Sequence, residues 1–126
     1  MEKTKMSNTA RRGQEPDITF EVVDNCLIVR LSKDLDHHNA LYLRERSDQI
    51  LDRNSIRNII FDFTNSSFMD SSGIGVIMGR YKRIIFTGGK VAVTGVGDTV
   101  DRIFKISGLY KIIEKYETVK DAIKVM

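Results

Sequence analysis

Cysteine is all but absent: Cys26 is the only one in 126 residues, so no internal disulfide can form, which fits a reducing compartment. No apolar run approaches the roughly 18 residues needed to cross a bilayer, and Met1 to Pro16 is too polar for a secretory signal. The expected location is the cytoplasm, without membrane insertion. The 2 histidines, His37 and His38, are adjacent and no cysteine or carboxylate cluster completes a site around them, so no metal and no cofactor are expected. Basic residues form no stripe. The net charge of +3 owes part of its size to Lys3, Lys5, Arg11 and Arg12, and the remaining lysines and arginines are interspersed with acids. That pattern suits a mixed-charge surface rather than direct nucleic-acid binding. Internal repeats and low-complexity tracts are missing as well.

What is present is ordinary globular composition, 41% hydrophobic and 29% charged, at a length that favours one domain with a real core. Residues 1–16 lack periodicity and read as a flexible N-terminal tail, leaving 17–126 as the domain. Ile18 to Val22 alternates apolar and polar, Leu27 to Leu31 is a second short strand, and Asp24-Asn25 between them suits a tight hairpin. Asp34 and Asp36 offer N-caps for a helix to about Arg53, with Ala40, Leu43, Ser47, Ile50 and Leu51 on its buried face.

Asn58 to Phe63 is nearly all apolar, as in a strand covered on both faces. A helix from about Ser71 to Phe86 follows, carrying Ile74, Ile77, Met78, Tyr81, Ile84 and Ile85 at helical spacing and ending at Gly88-Gly89. Lys90 to Thr94 reads as a strand, and Asp98 as the cap of a short helix closed by Gly108. Lys111 to Glu114 suggests a last strand, and Thr118 caps a terminal helix with Val119, Ala122, Ile123 and Met126 on one stripe. The order implies an α/β single domain: a mixed sheet of four to five strands, an N-terminal hairpin with parallel strands beyond it, and about four covering helices.

The informative stretch is Ser67-Phe68-Met69-Asp70-Ser71-Ser72-Gly73-Ile74-Gly75, where a buried strand gives way to a helix. Sites in open α/β sheets collect at such carboxyl ends. Asp70 or Ser71 is the natural N-cap, and the free amides and positive dipole end of the first turn suit a phosphate. Capping chemistry alone would also explain Asp-Ser-Ser, and Gly73, Gly75 and Gly79 suggest close packing. A serine hydrolase fits poorly: Met69 stands where G-x-S-x-G requires glycine, and the histidines belong to another helix. Nucleotide-binding fingerprints also fail, because Ile84 replaces the first glycine of a P-loop ending at Gly89-Lys90, and Met78 the third glycine after Gly73 and Gly75.

The segments Leu35-Asp36-His37-His38, Phe68-Met69-Asp70-Ser71-Ser72-Gly73-Ile74-Gly75 through Lys82, Gly88-Gly89 and Ser107 to Ile113 resemble the anti-sigma factor antagonist family. This is the bacterial form of the STAS domain; the resemblance is closest to the sporulation-type antagonists and runs from about residue 17 to the end. Lys33-Asp34 departs from the Gly-Glu usual before Leu-Asp. The resemblance implies a phosphoswitch, with the serine after the motif aspartate, Ser71, as the phosphorylation site. It implies that the unphosphorylated form binds an anti-sigma factor that is also a serine kinase, freeing the sigma factor. ATP-dependent phosphorylation then ends binding, and a serine phosphatase reverses it. Asp36, His37, Asp70, Ser72, Gly73, Ile74 and Gly75 are the expected partner-binding residues, and no catalytic activity is expected. The alternative is a STAS-type phosphoswitch or scaffold in another bacterial stress-signalling pathway.

Overall fold

In the computed structural model, residues 3–6 and 17–126 are described. The elements are β1 (Lys3–Met6), β2 (Ile18–Val23), β3 (Cys26–Leu31), α1 (His37–Arg53), β4 (Asn58–Asp62), α2 (Ser71–Ile85), β5 (Val91–Thr94), α3 (Asp98–Ser107), a 3-10 turn (Leu109–Lys111), β6 (Glu114–Tyr116) and α4 (Val119–Val125). The sheet order is β1-β2-β3-β4-β5-β6. The first three strands pair antiparallel, and β3 through β6 run parallel. Five strands therefore come from the domain, as expected.

The sixth, β1, falls inside the leader read as a flexible tail. Lys3 pairs with Val23 and Met6 with Phe20 along the β2 edge. The other residues of that leader lie outside those described.

Alternation along the strands divides the core. Leu27, Val29, Ile59, Phe61, Val91 and Val93 face one way, into a core shared with α1, α2 and α3. Cys26, Ile28, Ile60 and Ala92 face the other way, against Ala122 of α4. Burial on both faces explains the near-continuous apolar β4. Asp24 alone of the hairpin pair takes positive φ, at 55°.

Three local expectations differ from the structure. Asp98 is the first residue of α3 rather than its cap; Gly97 occupies the cap position with no side-chain bond. The final strand starts at Glu114, not Lys111. Leu109 and Ile113 are core residues, but the chain between them buries them through a 3-10 turn. Ile85 and Ile123 are exposed rather than inward.

The parallel crossovers bring the loops after β3 and β4 out at the same end of the sheet. There Leu35 and Met69, both fully buried, form an isolated parallel bridge. Leu35 N–H donates to Phe68 O at 3.0 Å, and Asp70 N–H to Leu35 O at 3.2 Å. This two-residue zipper sets the starts of α1 and α2 side by side.

Candidate functional site

Each helix start has an aspartate cap. Asp36 accepts from Asn39 N–H at 2.9 Å and opens α1. Asp70 accepts from Ser72 N–H at 2.8 Å through Oδ1 and opens α2. Its second oxygen, Oδ2, accepts from His37 N–H at 3.1 Å, the first residue of the other helix. One carboxylate thus satisfies an orphan amide on each of two helices. The loop before α1 is fixed by Asn39 Nδ2, which donates to Asp34 O at 2.8 Å, so Lys33-Asp34 still supports the turn.

Ser71 is the first residue of α2 and is exposed. Ser72 is half-buried and faces α1, with its Oγ 3.5 Å from His37 Nδ1. His37 was expected on another helix but at the same surface as Ser72, and the structure brings its imidazole to the Ser72 hydroxyl. This does not assemble a hydrolase triad, because Asp70 takes the His37 backbone N–H and no carboxylate backs the imidazole among the described residues.

Gly73 is buried, and a Cβ there would lie 3.0 Å from Leu35 Cγ and Cδ2 and 3.2 Å from Leu35 O. Its smallness lets α2 approach the zipper. Gly75 and Gly79 differ from expectation: a Cβ at either would meet nothing within 4 Å. Gly75 is exposed instead, and with Val76 and Ser72 it forms one wall of a shallow groove. His37, Leu41 and Arg44 of α1 form the other. Ile74, half-buried, packs against the core. The structure therefore gathers Asp36, His37, Asp70, Ser71, Ser72, Gly73, Ile74 and Gly75 at one end of the molecule. Leu41 and Arg44 were missed, although both follow from His37 at helical spacing, four and seven residues on.

Beyond the groove the two helices are locked by charge. Arg80, 7% exposed, places Nε 3.4 Å from Asp48 Oδ1, too poorly aligned for a hydrogen bond, and Nη1 has no partner among the described residues. Burial pulls the guanidinium pKa down, and Asp48 opposes it. Arg83 reaches both Asp48 and Asp52 from the next turn.

Residues 17–122 match the model of the STAS domain. The chain belongs to the STAS domain family. An anti-sigma F factor antagonist of Paenibacillus polymyxa is 44% identical over 97 residues, 77% of this STAS chain and 83% of the relative. The anti-sigma factor antagonist SpoIIAA in its unphosphorylated form superposes with a TM-score of 0.70 at 26% identity, over 85% of this chain and 94% of that one. The Bacillus cell fate determinant SpoIIAA in its phosphorylated form gives 0.69 at 29% identity, over 85% and 96%. No helix among the described residues of this STAS domain is long and apolar enough to cross a membrane.

Proposed function

We propose that the chain is an anti-sigma factor antagonist switched off by phosphorylation of Ser71. Unphosphorylated, it binds an anti-sigma factor that is also a serine kinase, and the sigma factor is released. Phosphorylation by that kinase ends the complex, and a serine phosphatase restores it. The protein acts in the cytoplasm and turns over no substrate itself.

The carrying observation is the exposed Ser71 at the first position of α2, where the zipped loops set it beside Asp36 and His37 at the start of α1. The small hydroxyl lets a partner pack closely over this end. A phosphate would bring about −1.5 to −2 charges. Left unpaired and desolvated at an interface, it costs several kcal/mol, and about 1.4 kcal/mol is tenfold in affinity. The helix end tolerates the same anion in the free protein through its amides and dipole. The similar likeness to SpoIIAA in both phosphorylation states supports a switch that keeps the fold.

The test is incubation with ATP and the anti-sigma F factor of Paenibacillus polymyxa, followed by mass spectrometry. Ser71→Ala should bind this kinase, take up no phosphate, and lose about 1 kcal/mol of stability or less, because Asp70 still caps the helix. Phosphate uptake by Ser71→Ala equal to wild type would make Ser71 the wrong residue.

A further inference from the structure

Two adjacent serines open α2, and their hydroxyls are chemically alike. Their surroundings are not. Ser71 stands outside, exposed, whereas half-buried Ser72 lies on the wall of the shallow groove, its hydroxyl 3.5 Å from His37 Nδ1 in a contact open to solvent. The backbones on both sides are pinned by the same carboxylate, through Ser72 N–H at 2.8 Å and His37 N–H at 3.1 Å. The imidazole, itself exposed, therefore stands beside the Ser72 hydroxyl on its α1 side, held there by a fixed backbone.

We propose that His37 is a positioning residue for phosphorylation: it shields the Ser72 hydroxyl and so directs phosphoryl transfer to Ser71. This rests on the phosphoswitch reading above. In the transfer, Ser71 Oγ forms the new bond to the γ-phosphorus of ATP and the bond to the β,γ-bridging oxygen breaks. ADP leaves with that electron pair, and the hydroxyl proton passes to a base of the kinase. In-line attack needs the nucleophile open on the side facing the nucleotide. Ser71 offers that approach. At Ser72 the imidazole narrows that approach from the α1 side.

The first test needs no kinase. Ser71→Cys, Ser72→Cys and Ser72→Cys/His37→Ala are labelled with a maleimide at pH 8, where buried Cys26, its thiol pushed up to about 11, contributes little background. Ser71→Cys should react several-fold faster than Ser72→Cys, and His37→Ala should restore most of the difference. Following the labelling rate of each variant over a range of pH separates access from thiolate fraction, because only the thiolate reacts. Equal labelling of Ser71→Cys and Ser72→Cys overturns the shielding, whatever a kinase does.

The second test uses ATP and the Paenibacillus polymyxa anti-sigma F factor on Ser71→Ala, Ser71→Ala/His37→Ala and Ser71→Ala/His37→Asn. Phosphate should appear on Ser72 in the alanine double variant and be absent or strongly reduced in the asparagine one, which refills that side of the groove. If His37→Ala alone is still phosphorylated on Ser71 while the alanine double variant takes up nothing, the proposal fails. If wild type takes up phosphate at neither serine, the phosphoswitch reading itself fails.

Discussion

Asp70 Oδ2 receives the backbone N–H of His37 at 3.1 Å, a bond spanning 33 residues of sequence. The same carboxylate caps its own helix through Ser72 N–H. Asp70→Ala therefore removes two amide partners at once. A lost cap costs about 1 kcal/mol, and losing the solvent-exposed bond to His37 N–H adds about 0.5 kcal/mol or more. Urea unfolding should show a loss of about 1.5–2 kcal/mol, more than Asp36→Ala, whose carboxylate among the described residues accepts only the Asn39 N–H that caps α1. Equal losses for the two variants would mean that the cross-helix bond contributes nothing.

Gly73 and Gly75 should respond oppositely to alanine. At Gly73 the new Cβ sits 3.0 Å from Leu35, a fully buried residue whose backbone is paired in the loop zipper and cannot easily yield. Overpacking there, at about 1–3 kcal/mol, outweighs the roughly 1 kcal/mol of helix propensity gained. At Gly75 a Cβ meets nothing within 4 Å, so the propensity gain stands alone. Thermal unfolding should place Gly73→Ala below wild type and Gly75→Ala above it. Kinase affinity should fall for Gly75→Ala, because the added methyl fills the groove wall.

Much of this arrangement was legible in local patterns. The alternation in Ile18–Val23, the apolar run of β4 and the caps Asp36, Asp70 and Thr118 act within a few residues, so sequence spacing reports them. The site's geometry depends on contacts that spacing does not carry. The Leu35–Met69 bridge and the Asp70–His37 bond join separate crossovers and arise only once the parallel strands are in register. The expected strand from Lys111 to Glu114 misled for a different reason: an apolar residue at a sheet's end, here Ile113, can be buried just after a 3-10 turn as well as by a strand. In β1, Lys3-Thr4-Lys5-Met6 has little hydrophobic signal, and its pairing comes from the open edge of β2.

Acid should weaken the α3–β6 corner through Asp101. Its carboxylate accepts from Lys115 Nζ at 2.8 Å and Tyr110 Oη at 2.6 Å and pairs with Lys105 at 2.9 Å. Those bonds, Lys115 first, hold its pKa well below the ordinary carboxylate range. The folded pKa lies below the unfolded one, near 3.9. The contribution is therefore present above about pH 4 and is lost as pH falls through the folded value. Asp101→Asn should be less stable than wild type at pH 7, and the gap in urea midpoint should narrow on acidification below pH ~4. A gap constant from pH 7 to pH 2, each about two to three units from 3.9, would show that ionisation of Asp101 is not responsible.

Phosphorylation of Ser71 should change the surface and spare the fold. The residue is exposed at the first position of α2, so its phosphate enters solvent beside the positive end of the helix dipole. No core side chain is displaced, and the Leu35–Met69 zipper lies beneath it, buried. Asp70 is the nearest negative charge in sequence, but both its oxygens are already engaged by amide donors, which moderates the repulsion in the free protein. A docked partner that desolvates the phosphate without supplying counter-charge places the cost on the complex. Amide spectra of the two forms should therefore differ mainly around Asp36, His37 and Asp70 to Gly75, with melting temperatures within about 4 °C of one another. Shifts spread through β4, β5 and α3, or loss of a cooperative transition, would show that the switch works by unfolding instead, even if kinase binding disappeared as expected.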